Sequence, residues 1–174
     1  MRRRIKNKMK ELTRAELKIN GSIPVFLHQP ALNKVVDGLK WCCEKRGLRI
    51  YDYCILPDRI LLIADAAWGS PEETIYSFQS FSAKAIVNLL QFQRNSEFID
   101  QMLSTLRSEE IFWEANPLLK TIIKQEQHDE ASREILNRPV KMGWVTKAEH
   151  YRLSSEHPKH PLQGWIVEGI DPWS

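Results

Sequence analysis

The chain has 174 residues, of which 43% are hydrophobic and 27% are charged. These values are ordinary for a single globular domain that buries about two-thirds of its unfolded surface. The apolar runs are too short to span a bilayer, and Met1–Arg4 are followed by no apolar signal-peptide core. Three cysteines, Cys42, Cys43 and Cys54, do not form a disulfide framework, and we expect them to pack in the core. The composition therefore excludes a membrane-spanning protein, and we expect a cytoplasmic one.

The net charge of +3 is distributed unevenly along the chain. Residues 1–18 carry eight basic and two acidic side chains, whereas the remainder carries 17 basic and 20 acidic ones. A basic segment on a slightly acidic body is typical of a protein that contacts phosphates at one place. The alternative is a solvated terminus, and charge alone does not decide between the two. The side chains that we predict to contact DNA from this segment are Arg2, Arg3, Arg4, Lys6, Lys8 and Lys10.

The first half of the chain predicts two short extended segments, a helix and a pair of strands. The extended segments are residues 10–17, where the alternation is poor, and residues 22–29. The segment "PALNKVVDGLKWCCEKRG" has apolar residues at helical spacing, and Gly47 supplies its stop. The segments "LRIYDYCIL" and "RILLIAD" then predict two strands joined through Pro57 and Asp58.

The second half predicts three helices, one strand and a last possible strand. A helix begins after Ser70, with Pro71 at its first position and Glu73 completing a capping box. A second helix carries Phe98, Met102 and Leu106, and "PLLKTIIK" follows it as a strand. The segment "EQHDEASREILN" is a helix that ends close to Pro139. The segment "GWIVEG" is a last possible strand. This order predicts an α+β sandwich, ferredoxin- or RRM-like, with helices packed on a mostly antiparallel sheet.

A search for catalytic motifs is mostly negative. The sequence has no P-loop, GxGxxG, GxSxG or HExxH motif. His157 and His160 form an H-P-K-H pair that a metal can use, although two such residues in a loop are more often surface side chains. Asp52, Asp58 and Asp65 surround the second predicted strand, where cation binding and ordinary turn positions explain them equally well. On these general grounds no active site stands out.

Three ordered segments nevertheless carry a resemblance to a known family. They are "RGLRIYDYCILPDRILLIAD" at 46–65, "FQSFSAKAIVNLL" at 78–90 and "EILNRPVKMGWVTKAEHYRLSS" at 134–155, with Phe112-Trp113 between the last two. In sequence and spacing they resemble the single-tyrosine transposases of the REP-associated and insertion-sequence type, which carry a His-hydrophobic-His motif. The resemblance covers residues 9–156. It leaves residues 1–18 as a basic segment that includes a possible first strand, and residues 157–174 as a C-terminal extension.

The resemblance implies a specific chemistry. In such transposases two histidines hold a divalent metal, magnesium or manganese, on the scissile phosphate, and a tyrosine on a later helix attacks the phosphorus to leave a phosphotyrosine link. A polar residue one turn after the tyrosine completes the metal site. The metal stabilises developing charge, and the covalent nucleophile divides strand exchange into two steps.

All four catalytic positions of this chain depart from that pattern. The two histidines fall on Arg59 and Leu61, the tyrosine falls on Glu134, and the polar residue falls on Arg138. A guanidinium has no free lone pair and leucine has no donor atom, so neither binds a metal. The other tyrosines, Tyr51, Tyr53, Tyr76 and Tyr151, lie outside the helix that would present a nucleophile. The resemblance therefore predicts an inactive relative with no metal site and no cofactor.

The substituted positions suggest what replaced the chemistry. We expect Glu134 to form an ion pair with Arg59 or with Arg138, which lies four residues later on the helix. The alternatives are that the arginines reach solvent separately, or that Arg59 and Arg138 hold a DNA phosphate.

Three functions follow from the resemblance. The first is a DNA-binding protein without strand cleavage that recognises single-stranded or hairpin DNA, and the second is an active transposase with non-standard catalytic residues. The third is a domesticated dimeric module that binds protein, with Trp144, Trp165 and Trp173 as interface or core aromatics. The family also implies a homodimer.

Overall fold

The computed structural model describes residues 11–94, 96–106 and 108–173. The basic side chains from Arg2 to Lys10 lie outside the described residues, so their predicted contacts with DNA stay predictions. The strands are β1 (Leu12–Lys18), β2 (Leu48–Leu56), β3 (Arg59–Ala66) and β4 (Leu118–Ile122). The helices are α1 (Gln29–Arg46), α2 (Pro71–Phe92), α3 (Glu97–Thr105), α4 (Gln125–Leu136) and the short α5 (Arg138–Lys141).

The four strands form one antiparallel sheet in the order β2-β3-β1-β4. The chain runs from β1 through α1 to the hairpin of β2 and β3, and then through α2 and α3 to β4, which pairs with β1. This βαββαβ connection with β1 and β3 in the centre is the ferredoxin-like arrangement. The predicted fold class is confirmed, and the four strands and helices α1 to α4 follow the predicted order.

Alternating side chains give the sheet two different faces, because successive residues of a strand point to opposite sides. On the first face, α1 and α2 bury the larger apolar cluster, which includes Leu17, Tyr53 and Leu62. On the second face, α4 buries a smaller cluster around Leu61 and Ile135. The charged residues described below lie at the margin of this second cluster.

The helix boundaries follow local signals in the sequence. Gly47 ends α1 in the left-handed conformation, with φ of 68°, and a Cβ there would lie 2.7 Å from the ring of Trp68. The Ser70 hydroxyl accepts a hydrogen bond from the Glu73 amide at 3.4 Å, which confirms the predicted N-cap of α2.

Two predicted extended segments are wrong. Residues 22–29 instead start at the end of one short 3-10 turn, Asn20–Ser22, contain a second, Val25–Leu27, and reach the first residue of α1. Gly21 and Ser22 have positive φ angles of 70° and 53°, and a nearby proline has no amide to donate, so the chain turns rather than extends. The segment "GWIVEG" forms no strand; its Val167 amide donates one hydrogen bond to the Ile50 carbonyl at 2.8 Å.

The cysteines are unpaired thiols. Burial raises the pKa of Cys42 to about 12, of Cys43 to about 11 and of Cys54 to about 12. Thiols held in this protonated form pack as small apolar groups, as expected.

Within the described ranges, no helix is both long enough and apolar enough to cross a membrane.

Candidate functional site

Arg59 begins β3 on the second face of the sheet, where two carboxylates hold its guanidinium. Nε and Nη2 donate to the Asp58 carboxylate at 3.0 and 2.8 Å, and Nη1 donates to Glu16 on β1 at 2.8 Å. The three side chains are only 22%, 18% and 16% exposed. The hydrogen bonds that Arg59 donates to Asp58, and then to Glu16, raise the pKa of Arg59 above its ordinary value, although burial opposes them. This pairing explains how a mostly apolar strand accommodates an arginine.

Leu61 lies two residues further along the same face of β3 and is fully buried. It stands opposite Cys54 on β2 and packs in the apolar cluster that includes Ile135 of α4. The position that the resemblance aligns with a metal-binding histidine is therefore part of the hydrophobic core.

Glu134 on α4 accepts hydrogen bonds from two arginines at one carboxylate oxygen, Oε1. Arg138 Nη2 lies 3.2 Å away and Arg14 Nη2, from β1, lies 2.9 Å away. The predicted Glu134–Arg138 ion pair is confirmed. Within the described chain, Glu134 forms no ion pair with Arg59, because Glu16 and Asp58 already hold that guanidinium.

These contacts define a charge network of six side chains, which are Arg14, Glu16, Asp58, Arg59, Glu134 and Arg138. It contains three guanidiniums and three carboxylates, so its formal charge is zero. It divides into an acidic half, where Glu16 and Asp58 share Arg59, and a basic half, where Arg14 and Arg138 share Glu134. Arg59 and Arg138 also line one cavity of about 490 Å³, which brings the two halves to one place.

The charge network does not fit a divalent metal. Magnesium and manganese need oxygen or imidazole ligands that are free to coordinate, and each carboxylate of the network is held by a guanidinium. Among the described residues, no group of three or more His, Cys, Asp or Glu side chains is placed to hold a metal ion. Of the residues at the four aligned positions, Arg59, Glu134 and Arg138 are therefore ion-paired, and Leu61 belongs to the apolar core.

The sequence prediction missed Arg14 and Glu16. Both lie within the basic segment 1–18, yet they point from β1 to the second face, where they pair with Glu134 and Arg59. The signal was present as the alternation of charged residues 14, 16 and 18 with apolar residues 15 and 17.

Tyr51, Tyr53 and Tyr151 each use their hydroxyl in a hydrogen bond. Tyr151 donates to the Ile55 carbonyl at 2.8 Å, and Tyr53 is hydrogen-bonded to His160 at 2.9 Å. Tyr51 donates to Asp65 at 3.2 Å, and burial raises its pKa to about 12. Tyr76 is exposed on α2, in the helical layer of the other face. Tyr151 alone lies beside the cavity of Arg59 and Arg138, since its ring is 6.2 Å from that of Trp144, but the Ile55 carbonyl holds its hydroxyl.

The acidic residues that were candidate cation ligands are also paired. Arg49 donates twice to the buried carboxylate of Asp65, each time at 2.7 Å, and Asp58 holds Arg59. Asp52 lies 3.6 Å from His128. Turn and strand positions with ion pairing therefore explain these residues better than cation binding does.

The surface position expected for both tail histidines is wrong for His160. Its ring is buried between the Tyr53 hydroxyl and the carboxylate of Glu168, which lies 3.6 Å away. His157 is only partly buried and accepts a hydrogen bond from the Lys159 amide at 3.0 Å. The difference arises because Leu162, two residues further on, is buried in the core and draws this turn inward.

We expect the stability of the protein to fall in acid because of His160. Burial lowers its pKa below the ordinary value of 6.5, although Glu168 opposes the shift. The unfolded chain then takes up the proton first, so the stability contributed by neutral His160 is complete above about pH 6.5 and is lost as pH falls through the folded pKa. Urea unfolding measures the free energy of unfolding at pH 8 and pH 5.5, and this free energy should decline less in His160→Gln than in the wild type. The exposed His150→Gln variant is the control and should decline as the wild type does.

The protein belongs to the ferredoxin-like fold class, and its later helix α4 packs on the second face of the sheet. The structure is similar to that of the REP-associated tyrosine transposase bound to a REP hairpin. The TM-score is 0.59 and the identity 13%, over 96% of this chain and 88% of that one. This likeness establishes a shared fold.

A second solved structure is of a candidate transposase from Deinococcus radiodurans R1. Its TM-score is 0.46 at 12% identity, over 74% of this chain and 90% of that one, which is too weak to support an argument. No protein-family model matches the chain, and no curated protein matches its sequence.

Proposed function

We propose that the protein binds single-stranded or hairpin DNA on a transposase-like fold and does not cut it. The observation that carries this proposal is the charge network, because its ion-paired side chains Arg59, Glu134 and Arg138 stand at three of the four positions at which the resemblance expects metal ligands and a nucleophile. The shared fold with a transposase that was solved on a hairpin supports DNA as the partner.

The charge network lacks the groups that strand cleavage requires. In the family's chemistry a metal polarises the phosphate and a phenol attacks the phosphorus. Here Arg59 and Leu61 provide no ligand, and the carboxylate of Glu134 is engaged by two guanidiniums. A carboxylate also cannot replace the phenol that forms and later releases a phosphodiester link.

Binding requires only charge and shape, which the chain retains. Phosphate contacts are sequence-independent and come from arginine and lysine side chains, such as those between Arg2 and Lys10. Arg138 is the better candidate within the charge network, because it shares one carboxylate with Arg14, whereas Arg59 has two carboxylates to itself. We propose that the protein acts in the cytoplasm, as its composition indicates, and as a homodimer, as the resemblance implies.

The test is an assay of binding and covalent capture. The full-length protein is incubated with labelled hairpin and linear single strands, with magnesium or manganese, at 50 mM and 200 mM salt. We expect retention of the DNA that weakens by about a hundredfold or more across that salt range, because several phosphates are contacted. We expect no cleavage product and no protein–DNA adduct on a denaturing gel.

A deletion of residues 1–8 serves as the matched variant. If these residues contact phosphates, the deletion weakens binding to all sequences equally and reduces the salt dependence. An adduct would favour the active transposase with non-standard residues instead. Absence of retention would favour the protein-binding module.

A further inference from the structure

The cavity that Arg59 and Arg138 line has largely apolar walls, whereas the charge network consists of ionised side chains. It opens between the turn Val25–Leu27, the connection of β2 with β3, and the end of α5. Pro24, Leu27, Leu56, Pro57, Met142 and Trp144 supply its apolar surface. A volume of about 490 Å³ lies within the range of pockets that hold small organic groups.

Three of these apolar side chains remain largely in water. Leu27 is 66% exposed, Met142 is 50% exposed and Trp144 is 45% exposed. Isolated exposed apolar residues are common, but three that converge on one cavity are a feature of binding surfaces. The cavity therefore presents an apolar surface that a planar ligand would cover.

The backbone fixes Trp144 at the edge of this cavity. Gly143 has a φ of 74°, and the amides of Gly143 and Trp144 donate to the Val140 and Pro139 carbonyls, each at 3.0 Å. This is the Schellman arrangement that ends a helix and turns the next residue back along it. The Trp144 ring also lies 6.2 Å from that of Tyr151, with an angle of 31° between the planes. A ring held in this way binds a planar partner at a small cost in conformational entropy.

The charge at the base of the cavity indicates which planar ligand fits. Arg59 and Asp58 on the cavity wall neutralise each other, whereas the Arg138 guanidinium there shares one carboxylate oxygen with Arg14, so the basic half of the charge network is under-neutralised. A ligand that is planar at one end and anionic at the other matches an aromatic wall beside such a guanidinium. An unstacked nucleotide has this chemistry, because bases stack on aromatic rings and phosphates bind arginine.

We infer that this cavity binds one unstacked base of a single-stranded DNA segment, with the base against Trp144 and its phosphate toward Arg138. The inference rests on the proposed DNA-binding function and adds a defined site to it. It also assigns a role to the segment Arg138–Trp144, which positions a stacking side chain beside the former catalytic position rather than a nucleophile within it.

The experiment compares two probes, a blunt DNA hairpin and the same hairpin with a short single-stranded extension. Fluorescence anisotropy is measured for the wild type, Trp144→Ala, Trp144→Phe and the control Trp165→Ala. Trp165 is a half-exposed tryptophan that does not line the cavity. We expect Trp144→Ala to weaken binding of the extended hairpin by about tenfold and to leave the blunt hairpin unchanged. Trp144→Phe should retain most of the affinity, and Trp165→Ala should retain all of it.

A series of extensions with one abasic position each completes the test. In the wild type one abasic position should reproduce the tenfold loss, and in Trp144→Ala the same position should have no further effect. Equal losses on both hairpins, or none with Trp144→Ala, would overturn the inference while leaving DNA binding intact. Failure of the wild type to bind either hairpin would overturn the proposed function as well. Circular dichroism of each variant verifies that it is folded.

Discussion

Replacement of Arg59 by alanine is expected to lower the free energy of unfolding by about 2–4 kcal/mol. The substitution removes the only guanidinium that the described structure places against Glu16 and Asp58 together, and it leaves two part-buried carboxylates without a positive partner. A buried charge that loses its partner destabilises a protein far more than an exposed one does. Urea unfolding at pH 7 measures the effect through the midpoint, with an unchanged slope as the sign of intact cooperativity.

A triple variant identifies the origin of this loss. Combining Arg59→Leu with Glu16→Gln and Asp58→Asn removes all three charges and should recover much of the stability. Lys45→Ala breaks an exposed ion pair with Glu44 and is the control. A loss no larger than that of Lys45→Ala would refute the role assigned to Arg59.

The fold could be predicted from the sequence because its signals are local. Helical spacing in α1, the cap at Ser70 and the stop at Gly47 each depend on residues within a few positions of one another. The strands of the β2–β3 hairpin are long apolar runs separated by a short turn. Patterns of this kind define the elements, and their order restricts the sheet to few topologies.

The errors lie where local patterns compete with tertiary packing. Val25 and Phe26 are residue types common in strands, but here they lie in a 3-10 turn and are buried in the core. The backbone changes direction at Gly21, just before this turn. His160 looks like a tail residue, but packing of the neighbouring Leu162 carries it inside. Neither contact has a signature in the adjacent sequence.

The charge network could be predicted only in part for the same reason. Glu134 and Arg138 are four residues apart on consecutive helical turns, so their ion pair follows from helix geometry. Arg14 reaches Glu134 across 120 positions of sequence, and Glu16 reaches Arg59 across 43. Those pairs depend on the position of β1 between β3 and β4, which is a property of the whole sheet.

Replacement of Leu61 by alanine is expected to lower the free energy of unfolding by about 2–5 kcal/mol. Leu61 is fully buried between β2 and α4, and truncation leaves a cavity in the smaller of the two apolar clusters. Leu61→Met keeps the volume and should cost less than about 1.5 kcal/mol. Thermal and urea unfolding of the three proteins measure the series, with Leu118→Ala on the exposed face of β4 as the control.

The variant Leu61→His tests whether this position belongs to the apolar core or can hold a metal ligand. If Leu61 is now part of the core, the histidine places an imidazole among Cys54, Ile63 and Ile135, and its ring nitrogens have no partner in that apolar cluster. The variant should then be at least as unstable as Leu61→Ala, and manganese should not restore its unfolding midpoint. A Leu61→His protein that is as stable as the wild type, or that manganese stabilises, would show that the position still accommodates a metal ligand. The predicted instability has a direct physical cause: the Leu61 side chain stabilises the packing of α4 on the sheet.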